Sequence, residues 1–179
     1  MEYIDYLAAG LVKEALKDEN WEIRKEAYIA FGFTKEATKD ENWEIRKEAY
    51  RSLGYTKEAL KDKDWHIRLE TYRKLGYTKE ALKDENWYTR REAYRKLGFT
   101  EEAFKDEDKD IRQEAYRSLG YTKEALKDEY ADIRKEAIKY FETKELVEQT
   151  LKTKEDALRH INHENKTIRL KARAMLEGD

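Results

Sequence analysis

Residues 54–75 read GYTKEALKDKDWHIRLETYRKL, and the next 22 residues read GYTKEALKDENWYTRREAYRKL. The pattern recurs along the chain with a glycine at every 22nd position: Gly10, Gly32, Gly54, Gly76, Gly98 and Gly120. A fixed period of this length is typical of proteins built from stacked structural repeats. The period therefore predicts six full units, at 10–31, 32–53, 54–75, 76–97, 98–119 and 120–141.

The two ends of the chain depart from this period. Residues 1–9 correspond to the end of a truncated unit, because Tyr6 falls in the column of Tyr28 and Tyr50. Residues 142–179 lose the spacing but keep a degenerate echo of the repeat in Asn165, Ile168, Arg169 and Ala172. Since terminal repeats of an array are usually atypical, we expect one domain, 1–179, with a half-unit at 1–9 and a cap at 142–179.

Each unit is predicted to hold two helices rather than one. The apolar residues of unit 54–75 scatter around a single helix at 100° per residue, whereas Ile67, Thr71 and Leu75 share a narrow arc of a helix that starts at Trp65. The sequence therefore predicts an all-α protein, a right-handed α-solenoid of tandem 22-residue short-helix/long-helix repeats. The Ile, Ala and Leu/Phe columns of the long helices are expected to form its core.

The residues between the helices agree with this division. Gly54 is predicted to end the preceding helix in the left-handed conformation, and Thr56 to cap a short helix. Asn and Asp side chains are good helix N-caps, and they stand before every predicted long helix of the first five units: Asn20, Asn42, Asp64, Asn86 and Asp108.

An aspartate stands six residues before an arginine in every unit, as Asp62 does before Arg68. The segment Ala59-Leu60-Lys61-Asp62 … Ile67-Arg68-Leu69-Glu70 … Leu75-Gly76 resembles the second-helix signature of HEAT-like repeats, over residues 10–141. The short unit is also similar to the leucine-rich repeat variant. The resemblance implies ion pairs between neighbouring units and a protein-binding scaffold; a minority of such proteins bind or process nucleic acid.

Composition narrows the classes of function. The formal net charge of −2 gives no strong global attraction to nucleic acid or anionic membranes. The absence of cysteine excludes disulfides and thiolate metal sites. Residues 1–5 do not resemble a signal peptide, and no stretch is long and apolar enough to span a membrane. We therefore expect a monomeric, cytoplasmic protein that does not contact the membrane.

One candidate site is the stripe Trp65, Arg68 and Tyr72, which recurs in neighbouring units. Its aromatic and guanidinium groups could stack on bases, sugars or a peptide. A feature present in every unit is more often what the unit needs in order to stack. The favoured interpretation is therefore packing between repeats.

Columns that vary between units are more informative about a ligand. On the long helix they place six residues on one face of the central units: His66, Leu69, Arg73, Tyr88, Arg91 and Arg95. These residues are the predicted ligand-binding groove, on the concave face that the HEAT-like resemblance implies for second helices. The competing interpretation is a solvent-exposed face whose residues vary between units because no ligand constrains them. Units 54–75 and 76–97 are weakly basic, and unit 98–119 is acidic.

Catalysis finds little support. His160, His163 and Glu164 are spaced as metal ligands, but a surface pair near the C-terminal cap is the favoured interpretation, and no metal or other cofactor is expected. The serines lack a neighbouring histidine in sequence, and no glycine-rich phosphate loop exists. We therefore expect a non-enzymatic scaffold for a protein or peptide partner. Nucleic-acid binding and lipid-surface binding are the alternatives.

Overall fold

The computed structural model describes residues 3–177. Ten α-helices and five 3₁₀ helices, with no strand, make up this described part. The α-helices are α1 Tyr3–Ala9, α2 Val12–Ala15, α3 Trp21–Phe31, α4 Trp43–Leu53, α5 Trp65–Leu75, α6 Trp87–Leu97, α7 Lys109–Leu119, α8 Ala131–Thr150, α9 Lys154–His160 and α10 Lys166–Glu177. The 3₁₀ helices are η1 Lys35–Lys39, η2 Lys57–Lys61, η3 Lys79–Lys83, η4 Glu101–Lys105 and η5 Lys123–Lys127.

The all-helical class and the 22-residue helical repeat are thus confirmed. The chain forms two compact units, an N-terminal unit, Met1–Gly98, and a C-terminal unit, Phe99–Asp179. The first contains α1 to α6 and the second α7 to α10. Residues 1, 2, 178 and 179, at the ends of the predicted half-unit and cap, lie outside the described residues.

The long helices begin where the sequence predicts. Asn42 Oδ1 accepts a hydrogen bond from the Glu44 N–H at 2.8 Å, and Asp64 Oδ1 accepts one from the His66 N–H at 3.0 Å. Each cap satisfies a backbone donor that the first turn of a helix leaves without a partner. The predicted N-caps therefore fix the start of each 11-residue helix from α3 to α7.

The predicted short helix is present and is a 3₁₀ helix. In η2 the Ala59 N–H donates to the Thr56 carbonyl at 3.1 Å, which is the i to i+3 pattern of a 3₁₀ turn. Thr56 stands at the N-cap position, but its side chain makes no capping hydrogen bond. Five residues leave little room for i to i+4 bonds, so the tighter turn forms.

The glycine conformation also differs from the prediction. Gly54 has φ 95° and ψ 143°, whereas a left-handed helical residue has a ψ near +47°. Gly76 and Gly98 adopt the same geometry. This extended backbone with positive φ is almost confined to glycine, because any Cβ would strain it. The glycine thus ends each helix by an abrupt extension of the chain.

The core is built from small clusters between successive repeats. Tyr50, Ala59 and Ile67 form one such cluster in the N-terminal unit. The predicted Ile and Ala columns are buried, but the Leu/Phe column is not: Leu75 is 49% exposed and Phe31 55% exposed. The buried residues of α5 all lie between Ile67 and Tyr72, so its last turn is left to solvent.

The C-terminal end retains the residues that correspond to the repeat. Asn165 caps α10 by accepting the Thr167 N–H at 2.9 Å, and Ile168 and Ala172 are buried. Arg169 Nη1 donates to the His163 carbonyl at 2.6 Å. Helix α8 is longer than the others because Glu142 occupies the position where the period would place a glycine, and the helix runs on to Thr150.

Candidate functional site

The arginine column forms bonds between repeats. Arg46 Nε and Nη2 donate to the two carboxylate oxygens of Asp62 at 2.9 and 2.7 Å. Its Nη1 donates to the carbonyls of Asp40 and Glu41, both at 2.9 Å. The same ion pair recurs as Arg24–Asp40, Arg68–Asp84 and Arg112–Asp128. We call these four ion pairs the ladder. The predicted ion pairs between neighbouring repeats are therefore present, and this column has little capacity left for a ligand.

The tyrosine column is also used in packing. Tyr72 is 5% exposed and stacks on Tyr77, which follows the glycine, at a centroid distance of 6.0 Å. For the arginines and tyrosines, the interpretation as packing between repeats is thus confirmed. The tryptophans differ, because Trp65 is only half-buried and Trp87 is 41% exposed.

Five aromatic rings form a strip across the N-terminal ends of α4, α5 and α6. The ring of His66 stacks between Trp43 and Trp65, with centroid distances of 5.3 and 3.7 Å. Tyr88 meets Trp65 at 5.9 Å and Trp87 at 5.6 Å, both edge to face. We call Trp43, His66, Trp65, Tyr88 and Trp87 the aromatic strip. It exists because the residue after each tryptophan, a glutamate in earlier units, is aromatic at 66 and 88.

A depression of about 610 Å³ opens beside the strip. Cationic side chains predominate in its lining: Lys47, Arg51, Arg73 and Lys74, with the single carboxylate Glu70. Arg51 pairs with that carboxylate at 3.1 Å. Arg73 pairs with Glu92, which lies outside the lining, at 3.4 Å. Lys47 and Lys74 therefore leave the depression with an excess of positive charge beside the aromatic rings.

The structure gathers four of the six predicted site residues around this depression. His66, Arg73 and Tyr88 line its sides, and Leu69, only 5% exposed, lies at its base. Arg91 and Arg95 lie on α6 outside the lining.

Trp43 and Trp65 belong to the site, although the favoured interpretation of their stripe was packing, because a tryptophan in every early unit resembles a packing residue. Lys47 was missed too, although its spacing four residues after Trp43 was a usable signal. Its Nζ lies 5.2 Å from the centroid of that ring.

Two ionisable groups at the edge of the depression, Tyr55 and Glu70, have shifted pKa values. Burial and the neighbouring Glu70 carboxylate raise the pKa of Tyr55 to about 12. Burial alone would raise the pKa of Glu70, but hydrogen bonds from Arg51 hold it below its usual value. At neutral pH Tyr55 therefore stays protonated and Glu70 stays charged, and Glu70 remains paired with Arg51.

The C-terminal histidines take structural roles. His160 Nδ1 lies 2.7 Å from the Asp156 carbonyl, and His163 Nδ1 accepts the Asn165 N–H at 3.0 Å. Within residues 3–177, no three His, Asp or Glu side chains are grouped so as to hold a metal ion.

Comparison with models of known protein families gives no match, and comparison with curated proteins gives none either. No helix in the described part of the chain has the length and apolar character needed to cross a membrane.

Proposed function

We propose that the protein is a non-enzymatic binding module that takes a protein or peptide partner on the long-helix face of its N-terminal unit. The observation that carries this proposal is the aromatic strip, five neighbouring rings beside a depression with excess positive charge. Aromatic and arginine side chains dominate the energetics of protein interfaces. The arginine and tyrosine columns of the repeat, by contrast, are used in contacts between repeats.

The chemistry of the site suggests the kind of segment that it takes. Trp65, His66 and Tyr88 give the depression an aromatic lining, and Lys47 and Lys74 lie in the same lining. A peptide with an apolar or aromatic side chain next to carboxylates would match both features. We therefore expect acidic peptides to bind better than basic ones.

Single-stranded nucleic acid is a second candidate, favoured by the same combination of rings and cations. Bases stack on exposed aromatic side chains while cations follow the phosphates. Such binding would weaken steeply as the salt concentration rises. Fluorescence anisotropy with a labelled oligothymidylate, at low and at raised salt, separates this candidate from the peptide-binding proposal.

A peptide display library selected on the full-length chain tests the proposal. The diagnostic variant is His66→Glu with Tyr88→Glu, because Glu22 and Glu44 already occupy this column and the fold accepts glutamate there. Lys123→Glu is the control, since it lowers the charge by a similar amount at an exposed position of η5. We expect selected peptides to lose affinity about tenfold or more for the double variant only. Equal binding to all three proteins would overturn the proposal.

A further inference from the structure

The extension of helix α8 lines a groove in the C-terminal unit. The period places a glycine at position 142, but Glu142 stands there and α8 continues through to Thr150. The extended part packs near α10, with Val147 against the cluster that contains Ile168 and Ala172. A groove of about 680 Å³ lies between α7, α8 and α10.

The surface of this groove is largely apolar. Tyr121 and Tyr140 contact each other at a centroid distance of 5.4 Å, and Val147 lies further along α8. Tyr140 is 39% exposed. These side chains give the groove an apolar lining that is open to solvent.

Positive charge surrounds that lining. Glu136 is already engaged, since it accepts hydrogen bonds from Arg117 at 2.6 Å and from the Tyr121 hydroxyl. Lys144 lies 4.0 Å from Glu148. Lys139 and Lys171 also line the groove, and neither forms an ion pair with any acidic residue among residues 3–177.

We propose that this groove binds an acidic amphipathic helix of a partner protein. The groove is open to solvent rather than enclosed, so a small molecule would keep much of its surface in water, unlike ligands in typical pockets. A helix instead covers Tyr140 and Val147 with apolar side chains at i, i+3 and i+4. Carboxylates that flank this apolar face can then pair with Lys139 and Lys171, which have no ion-pair partner among residues 3–177.

This inference is independent of the proposed function, because it concerns other residues and another partner. It is tested by selecting random peptides of about 16 residues, enough for about four helical turns, on the full-length chain. The diagnostic variant is Lys139→Glu with Lys171→Glu. Its control is Lys123→Glu with Lys127→Glu, which changes the charge equally at exposed positions outside the groove. Circular dichroism checks that both variants keep the helical content of the unchanged chain.

We expect one class of selected peptides to be acidic, with apolar residues at helical spacing, and to become helical on binding. Their affinity for the Lys139/Lys171 variant should fall about tenfold or more, while the control and the aromatic-strip variant bind them normally. The proposal is overturned if no peptide class depends on Lys139 and Lys171, or if the dependent class is basic. Laurate is a second probe. If laurate binds the unchanged chain but not the Lys139/Lys171 variant, and no peptide shows this dependence, the proposal is overturned in favour of a small apolar anion as the ligand.

Discussion

At the residue scale, the buried arginines decide how firmly neighbouring repeats are joined. The side chain of Arg46 is 4% exposed, and its partner Asp62 is equally buried. Replacing Arg46 with alanine leaves a buried carboxylate without its cation, which costs about 3–5 kcal/mol of folding free energy. Urea denaturation followed by circular dichroism measures this loss.

Arg51 provides the matched control for that prediction. Its side chain is 45% exposed and pairs with Glu48 and Glu70 near the surface. Arg51→Ala should cost less than about 1 kcal/mol, because solvent screens an exposed ion pair. Similar losses for the two variants would show that burial does not set the strength of the ladder.

Gly54 tests the conformation that ends each long helix. No atom lies within 4 Å of the position that an added Cβ would occupy, so the effect of a substitution is purely conformational. Gly54→Ala should cost about 1–3 kcal/mol in the free energy of unfolding. Gly54→Asn should cost as much, because asparagine tolerates the left-handed helical region but not a ψ of 143°.

Ser52→Ala is the control for Gly54, since it changes an exposed residue in the last turn of α4. It should alter the stability by less than about 0.5 kcal/mol. If Gly54→Asn were as stable as the unchanged chain while Gly54→Ala was destabilised, Gly54 would adopt the left-handed helical conformation in solution, contrary to the geometry described.

At the element scale, the length of α8 depends on the loss of the repeat glycine. Glu142→Gly restores that glycine inside a helix and should cost about 1 kcal/mol. Amide hydrogen exchange should then speed up over residues 143–150. Lys135→Gly is the control, because it places the same residue at an exposed position of α8 before the extension. If the exchange rates over residues 143–150 do not change in the Glu142 variant, packing against α10, and not helix propensity, stabilises the extended part of α8.

The sequence predicts the long helices well because several signals coincide there. Asn42 caps α4, Ile45 is buried within it and Gly54 ends it. The short helix was predicted less well, because five residues carry too little periodicity to separate an α-turn from a 3₁₀ turn. Leu75 was assigned to the core because its angular position is correct. The angle does not show that the packing partners stop one turn earlier.

The candidate site was predicted in part for a related reason. Variation between near-identical units drew attention to His66 and Tyr88, and both lie in the aromatic strip. The stripe that contains Trp43 and Trp65 was considered as a site but assigned to packing. Both residues are half-buried, so each packs at a helix start and keeps part of its ring exposed. Only the structure shows how much of a recurring residue remains exposed.

At the scale of the whole molecule, each described contact of the ladder joins a repeat to its neighbour. Arg24 reaches Asp40, Arg46 reaches Asp62 and Arg68 reaches Asp84. Stability in such a chain is approximately a sum of local terms between neighbours. The right-handed superhelix stays a prediction, because handedness accumulates from small rotations between repeats that no single column of the sequence encodes.

The ladder also makes the folded chain sensitive to acid. Burial alone would raise the pKa of Asp40, but hydrogen bonds from Arg24 and from the Asn42 N–H hold it below its usual value. Asp128 is held below its usual value in the same way by Arg112 and the Tyr130 N–H, against its burial. An unfolded aspartate titrates at about pH 3.9, so below that pH the unfolded chain binds more protons than the folded one. The stability that these groups contribute is therefore present above about pH 4 and is lost as the pH falls through the lower folded values.

We therefore expect the urea midpoint to change little between about pH 7 and pH 5 from these groups and to fall steeply below about pH 4. Asp40→Asn combined with Asp128→Asn should lower the midpoint at neutral pH, because neutral amides pair more weakly with Arg24 and Arg112. The same variant should show a shallower fall below about pH 4, since two of the titrating groups are gone. If the variant has a lower midpoint at neutral pH but the midpoint still falls as steeply below about pH 4, the acid sensitivity arises from the exposed carboxylates and not from the ladder.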